Sequence, residues 1–158
     1  LDSRITCLSN DKNIGLAMSL NKAISFSNSE YIARMDADDY SLPDRLETQL
    51  NFMQGNPDIS VLGTGGIYCD QNGTEIKKVI SYFNPFAHSA AMFRREAYLK
   101  TGGYDKSFAI AMDYDLWVRL MEVGEVHNID EVLTVIRMHD GSSSMKKSRL
   151  KTLEGIKR

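Results

Sequence analysis

Two acidic groups in the chain have the residue types and spacing to do chemistry. The first is Asp36-Ala37-Asp38-Asp39, three carboxylates within four positions. At that density they repel one another unless something positive sits among them, and a divalent cation is the economical answer. Hard oxygen ligands suit Mg2+ or Mn2+, which commonly take one or two carboxylates while water and substrate phosphate complete the shell. A bare Asp-x-Asp is also common by chance, and its other reading is a solvated turn in which Asp39 or Ser41 caps the next helix. An EF-hand fails on spacing, because Tyr40 stands where an oxygen ligand belongs and Ser41 where the glycine belongs, although Glu47 fills the last place. A phosphohydrolase with an aspartyl nucleophile would usually have threonine where Tyr40 stands, which weakens that alternative.

The second group is Asp113-Tyr114-Asp115-Leu116-Trp117. On a helix, Leu116, Trp117, Leu120 and Met121 share one side, with Asp113 along its middle and Asp115 about 160° away. Asp113 alone of the two is therefore expected to face the protein. A carboxylate at the head of a buried stripe is either an N-cap for the helix amides or a general base beside a cleft, and the two roles are compatible.

The elements that must position these groups follow from periodicity. A strand-like run at Arg4 to Leu8 is followed by a polar turn cluster, and then Leu16, Leu20, Ala23 and Ile24 predict an amphipathic helix over about 15–28. Tyr31 to Met35 is a short apolar run ending in the acidic cluster, as a buried strand does when it delivers polar groups to its C-terminal edge. In open α/β sheets that edge is where ligands bind. Ser41-Leu42-Pro43-Asp44 has capping-box spacing with an early-helix proline, and Leu46, Leu50 and Met53 continue at helical spacing to Gly55-Asn56-Pro57. A strand over 59–62 completes a strand-helix order that predicts parallel strands joined by right-handed crossovers.

The second half changes character. The turn Gln71-Asn72-Gly73 predicts a hairpin between 67–70 and 74–80, so a mixed sheet is expected rather than a purely parallel one. A strand over 90–93, a helix over 95–100 stopped by Gly102-Gly103, a helix over 114–123 and strands over 126–129 and 132–138 follow, with a polar, basic, helical tail over 142–158.

Length and charge bound the function. The 158 residues suit one domain, and 19 Lys plus Arg against 21 Asp plus Glu give a net charge of −2, which leaves no basic field for a nucleic-acid backbone. No apolar run approaches the roughly 18 residues that a membrane-spanning helix needs. A cytoplasmic chain is expected, with Cys7 and Cys69 as reduced, small core residues. Arg94-Arg95 and the Lys146-Lys147-Arg149-Lys151 series read as solvated charge, although the latter could touch an anionic membrane at its inner face. His88 stands at a strand entrance, where it could face an acceptor or be a satisfied structural histidine; His127 receives no role.

Taken in order, these residues form a known pattern. Asn13-Ile14-Gly15-Leu16-Ala17, Leu20-Asn21-Lys22-Ala23, Tyr31 to Asp39, Pro43-Asp44-Arg45-Leu46 and Gln49-Leu50 are followed by Asn84-Pro85, His88, Met92-Phe93-Arg94-Arg95 and Gly102-Gly103-Tyr104-Asp105. Asp113 to Leu120, and Leu133 to His139 with Ser142 to Ser144, complete it. The series resembles the nucleotide-sugar glycosyltransferases of family 2 over nearly the whole chain.

The resemblance implies a GT-A fold, a Rossmann-like mixed sheet flanked by helices, with Mn2+ or Mg2+ as cofactor. It implies an inverting transfer of sugar from a nucleoside diphosphate to a hydroxyl acceptor, such as a glycan or lipid-linked glycan in cell-surface polysaccharide or glycolipid assembly. Asp36 would lie near the donor's ribose and metal, Asp38 would ligate the metal, and Asp113 would activate the acceptor hydroxyl. Asp39 would join the donor site. His139 would close over the diphosphate as a metal ligand or phosphate contact, with Arg137 neutralising the leaving group. Gly103 would let backbone approach the transferred sugar, and Asp105 would meet its hydroxyls.

Two departures stand out. Many members have Glu before the base aspartate, where this chain has Met112. The family also begins with a strand, a helix and a strand ending in acidic residues, which would all precede Leu1. The chain is therefore expected to be an N-terminally truncated domain, with 1–63 the rest of the nucleotide half and 64–158 the acceptor half. Alone it is expected to be inactive, to bind donor weakly and to self-associate through uncovered edges. A non-catalytic binding fragment of the same fold is the alternative.

Overall fold

A computed structural model describes residues 2–79, 87–108 and 111–139 of the chain. Its helices are α1 (Leu16–Ser25), α2 (Arg45–Gly55), α3 (Arg95–Lys100) and α4 (Met112–Met121). The strands are β1 (Tyr31–Ala33), β2 (Tyr40–Ser41), β3 (Ile59–Cys69), β4 (Glu75–Val79), β5 (Met92–Arg94) and β6 (Glu125–Arg137), with a 3-10 turn at His88–Ala90 before β5. All six form one sheet in the order β1-β5-β3-β6-β2, and β4 pairs with the far end of β3.

β3 is the spine of the sheet. Its first half pairs with β5 through Val61 and Leu62, its last residues pair with β4, and its other edge runs parallel to β6 from Ile59 to Cys69. Period-2 alternation sends its side chains to opposite faces. Val61 joins Phe93, Leu116, Trp117 and Leu120 in a core covered by α1, α3 and α4. Leu62 joins Met92, Met53 and Ile129 in a second core covered by α2. The mixed, helix-flanked sheet expected from the sequence is present.

Several local expectations are corrected. Residues 4–8 form no strand: Ile5 and Leu8 are exposed, and without a ladder partner among the described residues an extended run has nothing to hold it. Cys7 is accordingly exposed, whereas Cys69 is buried. β1 does not neighbour β3; β5 lies between them, antiparallel to both, so that β1 and β3 run in the same direction one strand apart. The two strands expected over 126–138 are one strand, with a register shift where Ile129 and Val132 face Thr64 and Gly65. The two residues between them, Asp130 and Glu131, are absorbed as a bulge. The tail over 142–158 and the Asn84-Pro85 pair lie outside the described residues.

The inner face of α2 differs most from its hydrophobic pattern. Ser41 belongs to β2 and forms no capping box; its hydroxyl lies 3.4 Å from the Leu42 carbonyl, and Asp44 holds the N-cap position without a side-chain bond. Leu46 is exposed, and the buried positions are Arg45, Gln49 and Met53, one turn apart. Arg45 Nη2 donates to the carbonyls of Arg34 (3.0 Å) and Ala91 (3.1 Å), and its Nε donates to Gln49 Oε1 (3.0 Å). Gln49 Nε2 donates to the carbonyls of Leu62 (3.1 Å) and Ala90 (2.9 Å). Burial pulls the Arg45 guanidinium down to about 10, helped by the nearby Arg34 charge. The pair thus ties the chain leaving β1 to the entry of β5, where polar backbone would otherwise be buried unpaired.

Arg94 is not solvated charge either. From β5 it donates to the carbonyls of Ile59 (2.9 Å), Met53 (2.7 Å) and Asn56 (3.2 Å), closing the end of α2, where helical carbonyls lack internal partners.

Candidate active site

A cleft of about 770 Å3 opens at the C-terminal end of β1. One wall is the acidic turn with the end of β6: Asp36, Asp38, Asp39, Arg137 and His139 line it. A second wall is the start of α4 with Ala111, Met112 and Asp113. Sequence spacing had suggested a strand edge for the first set and a helix head for the second; their convergence on one cleft is a property of the fold.

Each carboxylate of the turn has a partner. Asp36 accepts both terminal nitrogens of Arg34 in a two-point ion pair. The Ser89 hydroxyl, brought in by the 3-10 turn, accepts the Asp36 amide at 3.0 Å and Arg34 Nη1 at 3.1 Å, and donates to Asp36 Oδ2 at 3.3 Å. Asp39 is buried and its Oδ1 accepts the Arg137 amide at 2.9 Å, pinning the turn to β6. Burial raises the Asp39 carboxyl above its ordinary range, opposed by the hydrogen bond from the Arg137 amide. Asp38 meets His139 Nε2 at 2.8 Å, and that hydrogen bond holds the Asp38 carboxyl below its ordinary range. The Arg137 guanidinium lies over the Tyr40 ring, 5.0 Å from its centre, and donates to the Tyr40 hydroxyl.

The helical wall is built differently. α4 starts from Ala111, a left-handed residue at φ 60°, so Asp113 sits within the first turn and is not the N-cap. It makes no side-chain hydrogen bond among the described residues. Asp115 also faces protein, contrary to the helical-wheel expectation: it pairs with Arg119 at 2.5 Å, and Arg119 donates onward to the carbonyls of Thr101 (2.8 Å) and Gly103 (2.7 Å). The one-turn reach of Arg119 brings Asp115 back to the loop.

That loop carries Tyr104 to the seam between the walls. Asn21 of α1 donates to the Tyr104 carbonyl (2.8 Å), accepts its amide (2.9 Å) and accepts the Tyr98 hydroxyl. The Tyr104 hydroxyl meets His88 Nε2 at 2.7 Å, and Trp117 packs edge-on against the His88 ring. Burial, aided by the Arg34 charge, pushes His88 down to about 3, so its ring is neutral at ordinary pH. His88 lines the cleft. Gly103 and Asp105 do not: a Cβ on Gly103 would meet the Tyr98 hydroxyl at 2.6 Å, and Asp105 accepts the Ser107 amide at the exposed surface. The close approach at Gly103 is to the protein's own side chains. His127 stacks on Phe52.

Sequence reasoning missed Arg34, Ser89, Tyr104 and the Arg45–Gln49 pair. The available signal was Arg34 itself, a charge inside the apolar run Tyr31 to Met35, which had to find a buried partner.

Among the described residues no three acidic, histidine or cysteine side chains converge to hold a metal. Asp38 and His139 do meet, and a carboxylate oxygen with an imidazole nitrogen suits Mn2+, provided substrate oxygens and water complete the shell. The donor set fits such a cation.

The family model for Glycosyl transferase family 2 matches residues 1–115. The chain belongs to this family. Among its relatives in the family, it is 32% identical over 151 residues to the amylovoran biosynthesis glycosyltransferase AmsE of Erwinia amylovora, covering 88% of this chain and 56% of that one. It is 37% identical over 142 residues to the O-antigen biosynthesis glycosyltransferase WbnJ of Escherichia coli, covering 81% and 55%. The chain thus spans about half the length of these family members. Its fold is shared with the mannosyltransferase PcManGT of Pyrobaculum calidifontis, solved in complex with GDP-Man and Mn2+, at a TM-score of 0.64 and 18% identity over 82% of this chain and 38% of that one. Staphylococcus aureus TarS 1-349, solved with UDP-GlcNAc, gives 0.59 at 14% identity, covering 85% and 42%. Both likenesses place the family 2 chain in the GT-A fold.

Proposed function

We propose that this chain carries the catalytic centre of an inverting, metal-dependent glycosyltransferase, which moves sugar from a nucleoside diphosphate to a hydroxyl of a growing surface polysaccharide or glycolipid. The observation that carries the reading is the single cleft with held carboxylates on one wall and Asp113 on the other. Asp113 takes the proton of the acceptor hydroxyl as that oxygen attacks the anomeric carbon in line with the departing diphosphate. Among the described residues it has no hydrogen-bond partner, which leaves its oxygens available for that proton. Asp38 and His139 would hold the Mn2+ or Mg2+, which supplies charge stabilisation to the leaving diphosphate. Asp36 and Asp39 shape the donor side, and Arg137, released from Tyr40, reaches the diphosphate with a planar cation. Names of family members support the polysaccharide setting: AmsE is described for amylovoran and WbnJ for O-antigen.

The test is a pair of substitutions in the whole protein that carries this chain, assayed with UDP- and GDP-sugars and Mn2+. Asp113→Asn should abolish transfer and retain donor binding by calorimetry, whereas Asp38→Ala should lose donor binding. Wild-type transfer by Asp113→Asn would remove the base from this residue.

A further inference from the structure

The acidic turn already contains a cation, Arg34, and its placement says more than charge balance. Arg34 is 6% exposed, although the Asp36 carboxylate it holds is partly open to the cleft. Both of its terminal nitrogens are committed to Asp36, and its Nε has no partner among the described residues. Its orientation therefore favours the two-point pair over satisfying every buried donor.

The pair is fixed at both ends. The Arg34 amide donates to the Ala91 carbonyl at 3.0 Å, and its own carbonyl accepts Arg45 Nη2 at 3.0 Å. The Asp36 amide is held by Ser89, whose hydroxyl also contacts both charged groups. The Ser89 hydroxyl in the 3-10 turn thus touches both side chains, while Arg45 of α2 and the Ala91 carbonyl just before β5 hold the Arg34 backbone.

We propose that Arg34 is a positioning residue that divides the labour of the acidic turn: it keeps Asp36 out of the metal's coordination shell and cancels its charge, leaving Asp38 with His139 as the metal's protein ligands. This rests on the metal reading given above. An uncancelled Asp36 would add a third negative charge to the turn, strengthening its hold on a bare cation and repelling the diphosphate. A carboxylate locked to Arg34 can still accept hydrogen bonds from uncharged hydroxyls of a sugar or ribose. Arg34 thereby makes the turn selective for a cation that arrives with, or is shared by, a phosphate ligand.

A purely structural Arg34 and this role give opposite signs. Binding of Mn2+ alone, read as loss of the free-ion paramagnetic resonance signal, is measured on the purified whole protein that carries this chain. Arg34→Met should tighten Mn2+ by roughly tenfold as a charged oxygen ligand is released, and Arg34→Met with Asp36→Asn should return to within about twofold of wild type. Arg34→Lys, whose single ammonium cannot hold both carboxylate oxygens, should tighten it by about threefold. Unchanged or weaker Mn2+ binding in Arg34→Met, with native near-UV dichroism, overturns the proposal. Should that variant fail to pack, Arg34→Lys decides with the same signs. Tightening that survives the added Asp36→Asn change also overturns it. Asp38→Asn is a separate control: if it leaves Mn2+ binding unaltered, the metal assignment fails, while the Arg34 comparison still stands or falls on its own sign.

Discussion

The two walls of the cleft are both acidic and are held in opposite ways. On the β1 side every carboxylate is engaged, Asp36 by Arg34, Asp38 by His139 and Asp39 by the Arg137 amide. On the α4 side Asp113 has no such bond among the described residues, and the support stops at its neighbours, through Asp115, Arg119 and the Gly103 loop. The contrast matches what each wall has to do in the proposed reaction. A wall that receives a cation and a diphosphate works best preorganised, because fixed charges need not reorganise as charge develops. A base needs a free acceptor atom, so only its backbone has to be fixed.

The largest effects should come from exchanging those roles. Asp113→Asn in the whole protein is expected to lower the transfer rate by about 10²- to 10⁴-fold, read from initial rates. Donor binding in the same variant, by calorimetry, should stay near wild type. If both fall together, Asp113 belongs to the donor wall and the contrast between the walls dissolves.

The supports can then be attacked separately. Gly103→Ala combines φ of 80° with a Cβ 2.6 Å from the Tyr98 hydroxyl, whereas Gly102→Ala has the same φ and open space. The left-handed conformation costs about 1–2 kcal/mol in either variant, and overpacking adds about 1–3 kcal/mol at Gly103 alone. Urea melts of the two variants should be ordered accordingly. Equal losses would mean that Tyr98 and Asn21 do not clamp the helical wall.

On the other wall, Gln49→Leu removes the acceptor of Arg45 Nε and the donor to the Leu62 and Ala90 carbonyls. A loss of about 1–3 kcal/mol is expected for buried groups left unpaired. Amide exchange should rise near Arg34 and Ser89 more than near Asp113. A uniform rise over both walls would show that the pair supports the fold in general and not the acidic turn.

A pH-dependent effect concerns the seam. His88 is depressed by burial to about 3, and the groups facing it are Tyr104 and the Arg34 charge. The unfolded chain binds a proton near pH 6.5 that the folded chain refuses, so stability is full above that pH and declines as pH falls toward 3. The slope is about 1.4 kcal/mol per pH unit for this group. His88→Gln should flatten the decline between pH 6 and pH 4 in chemical melts. An unchanged slope would place the acid sensitivity elsewhere.

The amino-acid sequence by itself determined the elements whose signals are local. Helix α1, the hairpin at Asn72-Gly73, the stop at Gly102-Gly103 and the acidic turn after an apolar run are set by periodicity and turn chemistry acting over a few residues. The ordered motifs also determined the family. Only the tertiary structure decided what those residues face. The spacing of Leu46 and Leu50 suggested an apolar inner side for α2, yet Arg45 and Gln49 are buried because the carbonyls of Arg34, Leu62, Ala90 and Ala91 require donors there. A helical wheel separated Asp115 from the protein, yet a long Arg119 side chain and a distant loop recruited it. Asp38 and His139 are about a hundred residues apart and meet only because β2 pairs with β6 and the Asp39 carboxylate binds the Arg137 amide. Hydrogen-bond demand from backbone brought in by other strands is invisible to local pattern, and that demand chose the partners of nearly every charge in the cleft.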